Sequence, residues 1–318
     1  AFVGIQGDPG FGRSRLVYEF KKRLLAQNNS PLILKGEPHY QLFLSQENES
    51  LEHFKQMIQQ WYTSQKQSIS DMDLLHSVQK KWCEGYPIDI LSLQQVLLYL
   101  LETENYQLYN PQYFLPFIQT VFLSLAQEQF SKGLPLILHF EDMDWMDHAS
   151  ERILLQLLTH LSNFPPIMFL FSYLTRFEVT PILRQNRYFY ELKLQNLNTD
   201  QSTLLLNSML SRLFIDNDAK SMLISLSNGN PFFIEEFVKS FLNQPDMTEL
   251  SKNNLFVPGN VKDIIQTRLD NLEPAVLETL NVASVIGRKV PLILLKYLVQ
   301  HLWPQRLAIL PQLLQKAE

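Results

Sequence analysis

The feature that most limits what this chain can fold into is a glycine-rich stretch, Gly7-Asp8-Pro9-Gly10-Phe11-Gly12-Arg13-Ser14. It follows a short apolar run, Phe2-Val3-Gly4-Ile5-Gln6, that reads as a strand. After it Leu16, Val17, Phe20 and Leu24 recur at helical spacing. Gly7 and Gly12, followed by a basic residue and a hydroxyl, have the spacing of a phosphate-cradling loop. Such a loop needs glycine because backbone N–H groups must converge on phosphate oxygens with φ values that other residues resist. The helix that follows points its positive end at the same anion. Gly7, Asp8, Pro9, Gly10, Phe11, Gly12, Arg13, Ser14 and Arg15 are therefore candidate nucleotide-binding residues, with Ser14 placed to hold Mg²⁺. The alternative reading of the same glycines is a turn without a ligand. Arg13 stands where a lysine would fit between the β- and γ-phosphates. Arginine keeps the charge but is planar, forked and bulkier, so the exchange calls hydrolysis into question more than binding.

Further along, residues 31–36 read as a second strand. Residues 134–140 form a continuous apolar run, as suits a central parallel strand covered on both faces. Residues 167–173 and 188–194 give two more strands. Asp147 is placed to cap a helix carrying Ile153, Leu154, Leu157, Leu158 and Leu161. Strands alternating with helices predict a right-handed, doubly wound α/β parallel sheet. Residues 49–130 carry helical patterning, including Phe54, Met57, Ile58 and Trp61 and then Leu91, Leu93, Val96, Leu97 and Leu100, and form an insert without visible chemistry. From Asn196 onward the pattern is helical only. Thr199 or Asp200 is placed to cap a helix, Gly229 to end one and Pro231 to begin another. Val257-Pro258-Gly259 breaks the chain, and helices at 261–272 and 274–286 follow, the second closed by Gly287. The resulting division is an α/β nucleotide-binding domain at 1–195 and helical regions at 196–256 and 257–318.

Glu141 and Asp142 close the apolar strand, and in such a sheet its end emerges beside the glycine loop. One carboxylate is placed to hold Mg²⁺ through water and the other to orient an attacking water. An acidic pair after a strand is, taken alone, more often a solvated loop. Arg176, just past the next strand, is a third candidate, placed to read the γ-phosphate, although an Arg there is, taken alone, more often a surface residue. Asp144 is read as a loop group and Trp145 as packing. The seven histidines show no ligand spacing, and His139 reads as a core or hydrogen-bonded residue.

A net charge of −5 and a pI near 5.9 argue against a nucleic-acid binder, which needs a basic face. The run Lys21-Lys22-Arg23 reads as a solvated helix face. One cysteine, Cys83, can form no internal disulfide, which fits a reducing, cytoplasmic compartment. No apolar run reaches bilayer length. No signal peptide is read, and both ends read as cuts through a longer protein.

These residues resemble a known family. Gly7 to Leu16 looks like the phosphate loop of the predicted ATPases fused to class III adenylate/guanylate cyclases, within the AAA+-like signal-transduction ATPases with numerous domains. Related modules occur in helix-turn-helix transcription activators. Phe140-Glu141-Asp142-Met143-Asp144-Trp145-Met146-Asp147 is similar to the acidic strand end of that family, and Thr175-Arg176 stands where it has a sensor arginine. Asn228-Gly229-Asn230-Pro231-Phe232-Phe233-Ile234-Glu235-Glu236 looks like its Gly-Asn-Pro segment. Val257-Pro258, Arg268-Leu269-Asp270 and Ala283-Ser284-Val285-Ile286-Gly287-Arg288 resemble the start of its winged helix. The resemblance implies ATP with Mg²⁺, Pro231 against the adenine, and a helical lid at 196–256 and a truncated winged-helix-like domain at 257–318 that move with nucleotide state.

Three functions follow as expectations. The first is a nucleotide-switched regulatory ATPase reporting to a fused output domain, a cyclase or another. The second is a non-hydrolysing interaction scaffold with a degenerate loop, favoured by Arg13. The third is a DNA-associated AAA+ ATPase, disfavoured by the acidic balance.

Overall fold

Alternation along two short strands fixes the centre of the fold. In the computed structural model, β1 (Phe2–Gln6) turns Val3 and Ile5 to one face of a sheet, and β4 (Ile167–Tyr173) turns Met168 and Leu170 the same way. Val17 and Phe20 of α1 (Arg13–Leu25) close over them. The opposite residues of β4 (Ile167, Phe169, Phe171 and Tyr173) join Leu136, Leu138 and Phe140 of β3 (Leu136–Phe140) on the other face. There they pack against α2 (Glu52–Lys66), α3 (Phe114–Ser131) and α4 (His148–His160). With β2 (Ile33–Gly36) and β5 (Phe189–Lys193), five strands lie in the order β2-β3-β4-β1-β5, every pair parallel. The doubly wound α/β sheet expected from the sequence is the one observed. Because β3 is covered on both faces, all five of its residues are buried, which is why it reads as an unbroken apolar run.

The structure describes residues 1–27, 30–38, 51–66, 95–99, 114–160, 166–210, 214–215, 217–242, 249–250, 266, 269–270, 272–286 and 290–317. The expectations placed on Cys83, on Leu91, Leu93, Leu100 and Leu161, on 257–259, on eight of the twelve residues of the helix at 261–272 and on 287–289 lie outside them.

Two glycines are demanded by close approach. Tyr173 reaches from β4 across β1 to donate its hydroxyl to Glu191 Oε1 on β5 at 2.9 Å, and a methyl group on Gly4 would overlap that hydroxyl. A Cβ on Gly36 would lie 2.5–2.9 Å from the backbone of His53, so α2 can seat on β2 only because residue 36 has none.

That helix also covers an open sheet edge. β2 pairs with β3 on one side only. On its other side the Lys35 N–H donates to Gln60 Oε1 at 2.9 Å, and Gln60 Nε2 returns a bond to the Lys35 carbonyl at 2.6 Å. One helical turn earlier Gln56 repeats the pattern on Glu37, at 2.9 and 3.0 Å. Two glutamines at i and i+4 thus stand in for a sixth strand, satisfying backbone groups that would otherwise template aggregation. The start of the insert, read as lacking chemistry, has this structural task.

Contacts divide the chain into Ala1–Gln195 and Asn196–Glu318; α5 (Pro181–Arg184) completes the first unit. In the second, α6 (Thr199–Met209), α7 (Asn217–Ser227) and α8 (Pro231–Leu242) share one apolar cluster. A separate cluster is built from α9 (Pro274–Ile286), α10 (Leu292–Leu302) and α11 (Leu310–Ala317). The cap of α6 is Asn198, not Thr199 or Asp200: its side chain accepts from the Gln201 N–H and Gln201 bonds back, a reciprocal box that favours position 198. This unit is also not purely helical. Two-residue strands β6 (Phe214–Ile215) and β7 (Glu249–Leu250) pair in parallel, too short to leave a periodic signal.

Replacing Gln56 and Gln60 together by alanine removes four hydrogen bonds and should lower the unfolding free energy by about 2–6 kcal/mol, since each contributes about 0.5–1.5 kcal/mol net. Urea unfolding measures the loss, and light scattering should show new concentration-dependent association through the bared edge.

Candidate functional site

The glycine loop takes its shape from two left-handed residues. Gly10 (φ 88°) and Gly12 (φ 89°) lie in the region that favours glycine, and Gly12 is the residue from which α1 starts. Phe11 N donates to Asp8 O at 3.1 Å to close the turn. The loop is tied down from β4: Gly7 N donates to Tyr173 O at 3.1 Å, the Thr175 hydroxyl bonds Asp8 Oδ1, and Gln6 Nε2 reaches Thr175 O at 3.3 Å. The first N–H groups of α1 have no acceptor within the helix, and they face the mouth of this loop with the positive end of the dipole.

The acidic pair arrives beside it. Glu141 N donates to the Gly36 carbonyl at 2.9 Å, extending the β2–β3 ladder by one bond. Its side chain accepts the Ser14 hydroxyl at 3.0 Å on Oε1 and pairs with the Lys35 ammonium on Oε2. Lys35 bonds Glu37 as well. Asp142 adopts a left-handed conformation (φ 48°, ψ 58°), donates its N–H to Ser172 Oγ at 3.1 Å, and holds Arg13 Nη2 at 3.3 Å through Oδ1. A non-glycine residue in that region is strained, and Asp is among the few that tolerate it. The turn it makes brings its carboxylate to Arg13. Among the described residues Arg13 Nη1 is buried without a hydrogen-bond partner.

Of the residues singled out in the sequence, Gly7 to Ser14, Glu141 and Asp142 are thus brought together. Arg15 is turned onto the surface of α1, where it pairs with Glu19 at 2.9 Å and lies over the Tyr18 ring. Arg176 is exposed, one residue beyond the Thr175 that bonds the loop. Pro231 is the first residue of α8 in the second unit, where Asn228 (φ 47°) and Gly229 (φ 73°) turn the chain and Asn230 Oδ1 accepts the Phe232 N–H at 3.0 Å. A Cβ on Gly229 would collide with the Leu197 carbonyl.

Asp144 and Asp147 are structural. Asp144 Oδ2 accepts the Leu174 N–H at 2.8 Å at the end of β4. Asp147 caps α4 by accepting from Ser150 N and Oγ at 2.9 and 2.7 Å, as expected. It also accepts the N–H groups of Leu51 and Glu52 at 3.2 Å, so one carboxylate caps α2 as well.

Sequence reasoning missed a polar layer under the site. His53 donates from Nε2 to the Glu141 carbonyl at 3.1 Å, and burial lowers its pKa. Lys21, read as part of a solvated face, instead turns to the sheet and donates to His139 Nδ1 at 3.1 Å; Lys22 and Arg23 are exposed as expected. Burial, with the positive charges of Lys21 and Lys35 nearby, pushes His139 down to about 2, so it stays neutral and accepts. Lys21 is lowered to about 8, by burial first and the charge of Lys35 second. Burial opposes the charge on Lys35 too, but its bonds to Glu141 and Glu37 outweigh that and raise its pKa. The helical position of Lys21, four residues after Val17 on the sheet-facing stripe, was the available signal. Lys35 gave none beyond its place in a strand next to the acidic one. Among the described residues no cluster of three or more His, Cys, Asp or Glu could hold a metal, and no helix is long and apolar enough to cross a membrane.

No protein-family model and no curated protein matches the sequence. Among solved structures the chain is similar to a Signal Transduction ATPase with Numerous Domains carrying a tetratricopeptide repeat sensor from Pyrococcus horikoshii. That match has 13% identity and a TM-score of 0.47, covering 99% of this chain and 36% of that one. It is also similar to the Thermotoga maritima RuvB Holliday junction branch migration motor, at 13% identity and a TM-score of 0.41, covering 94% of this chain and 74% of that one. The chain thus spans about a third of the length of the first of these proteins.

Lys21 gives the site a measurable pH signature. Its folded pKa lies below its unfolded value of 10.5, so between about 8 and 10.5 the unfolded chain binds the extra proton and stability rises with pH. Urea unfolding at pH 8 and pH 10 should show this gain in the wild type and a smaller one in Lys21→Met. An equal gain in both proteins would remove Lys21 as its source.

Proposed function

We propose that this chain is the nucleotide-binding module of a regulatory, AAA+-like signal-transduction ATPase, binding ATP at the Gly7–Ser14 loop and acting as a nucleotide-dependent switch within a larger cytoplasmic protein. The observation that carries this reading is the meeting of one loop with one strand end. Gly10 and Gly12 are left-handed at the start of α1, and Ser14 and Arg13 are bonded to Glu141 and Asp142 at the C-terminal edge of a parallel sheet. A turn without a ligand has no need of these paired charges. ATP supplies the anion that the loop and the Arg13 guanidinium accept, and Arg176 is the cation nearest in sequence to the Thr175 that bonds the loop. In this reading Pro231 and its Asn-Gly-Asn turn contact the base, 196–256 is a lid, and 257–318 is the start of a winged helix leading to a fused output domain, a cyclase in the version the sequence resemblance favours. The switch needs ATP to favour one lid position by its differential contacts.

Hydrolysis is weak in this proposal, and one contact favours the related reading of a scaffold that binds without turnover. Arg13 is committed to Asp142, whereas a lysine would be a compact charge free to sit between the phosphates. Ser14, Glu141 and Asp142 are hard oxygen donors of the kind Mg²⁺ takes, but each carboxylate is already paired with a side-chain cation.

Equilibrium binding of ATP and phosphate release decide between these readings. The wild type should bind ATP with little release, and Arg13→Ala should weaken binding about tenfold or more, the value of a charge-assisted hydrogen bond of about 1.5–3 kcal/mol. Arg13→Lys should gain release, and Glu141→Gln with Asp142→Asn should abolish that gain. A wild type that binds no ATP would sink the nucleotide reading.

A further inference from the structure

The two carboxylates at the end of β3 that a magnesium site would use both carry a side-chain cation already. Glu141 offers Oε1 to the Ser14 hydroxyl and Oε2 to Lys35, and its side chain is 12% exposed. Asp142 holds Arg13 with side-chain exposures of 18% and 14%. Lys35 is not a chance neighbour. Its backbone N–H and carbonyl are clamped by Gln60, it sits in register with His139 on β3, and its ammonium bonds both Glu141 and Glu37. Arg13 thus neutralises Asp142, and Lys35 neutralises Glu141 while also bonding Glu37.

This balance bears on what an incoming phosphate meets. In a site with bare strand-end carboxylates, a polyphosphate faces like charge at short range, and a divalent cation must stand between them. Here that neutralisation is done by the protein. A magnesium ion would have either to displace an ammonium from Glu141 or to bind a carboxylate whose attraction is already spent on a cation. The second cost is large for Mg²⁺, which gives up its waters reluctantly.

We propose that nucleotide binding at this loop needs no divalent cation, Lys35 and Arg13 supplying from the protein the positive charge that a metal would otherwise bring. This rests on the nucleotide-binding reading above and goes beyond it by assigning Lys35, which belongs to no part of the loop, as a positioning residue that fixes Glu141 and neutralises it. Lys35 serves in place of a metal and holds Glu141 without entering any reaction.

Titration of the whole chain with ATP in excess Mg²⁺ and in excess EDTA tests it. The wild type should show dissociation constants within about threefold of each other under the two conditions, a difference of about 0.65 kcal/mol at most. Lys35→Met leaves Glu141 without its cation and should bind ATP about tenfold more weakly in EDTA, with Mg²⁺ restoring affinity. Lys35→Arg keeps the charge and should stay insensitive to EDTA. Wild-type binding in Mg²⁺ that is lost in EDTA overturns the inference and leaves the nucleotide reading standing. An unchanged metal response in a folded Lys35→Met protein, checked by circular dichroism, overturns the role of Lys35. If that variant does not fold, the wild-type pair of titrations and Lys35→Arg still decide. Absence of binding under both conditions overturns the nucleotide reading and the inference with it.

Discussion

Glu141 is where the structure is tied together. Its N–H continues the ladder to β2, its carbonyl accepts from His53 of α2, one carboxylate oxygen accepts from Ser14 of α1, and the other pairs with Lys35 of β2. Three elements, β2, α2 and α1, therefore converge on one residue that lies about a hundred positions further along the chain. Such convergence depends on the parallel order β2-β3-β4-β1-β5. In that order the ends of β1, β3 and β4 open on the same edge, and the loop after β1 lies next to the strand end that carries the acids. An antiparallel arrangement would send the glycine loop and the acidic pair to opposite edges.

The layer beneath Glu141 is polar at a cost. Among the described residues His53 Nδ1 and His139 Nε2 are buried without partners, and both rings are held neutral by burial. Unsatisfied buried nitrogens are destabilising by about 1–3 kcal/mol each. What offsets them is on the same side chains. The other nitrogen of His53 fixes the Glu141 carbonyl, and that of His139 accepts from Lys21 and so anchors α1 to β3. The ring of His53 also stacks on Phe140 at 6.1 Å, joining this layer to the aromatic cluster of the sheet. Apolar residues at 53 and 139 would pack without these penalties but would leave the strand end and the first helix less firmly placed. The polar layer positions the site, and the apolar face across the sheet supplies the stability.

The strand–loop–helix at the start, the central strands and the helix stripe Phe54, Met57, Ile58 and Trp61 were legible in the sequence because each is a local pattern of burial. The capping role of Asp147 was half legible. Its own helix follows at once in sequence, but the second helix it caps begins near Leu51, on the other side of a long insertion. Gln56 and Gln60 could not be read as edge-covering residues, since nothing in a helical heptad records that a sheet edge lies beside it. Lys35 and Lys21 were hidden for a similar reason. A lysine on a strand or helix is ordinarily solvated; the place of Lys21 four residues after Val17 was the one sequence signal for either, and their partners, Glu141 in one case and His139 in the other, are visible only in three dimensions. Asn198 was missed because two adjacent polar residues offered equally good caps, and the reciprocal bond to Gln201 decided between them.

Arg13 then has a consistent physical meaning. A lysine ammonium is a point charge, and one that leaves its carboxylate for a phosphate leaves the carboxylate bare. A guanidinium is a fork. Here Nη2 is engaged with Asp142 while Nη1 lies buried with no partner among the described residues. The same side chain can keep Asp142 neutralised and still present a second donor to an anion, which a lysine cannot do in that geometry. The exchange that weakens the case for hydrolysis thereby strengthens the case for binding in which the protein's own cations stay on its own acids. Arg13 at Asp142 and Lys35 at Glu141 are two instances of one arrangement, and the substitution in the loop and the lysine in the neighbouring strand are best understood together.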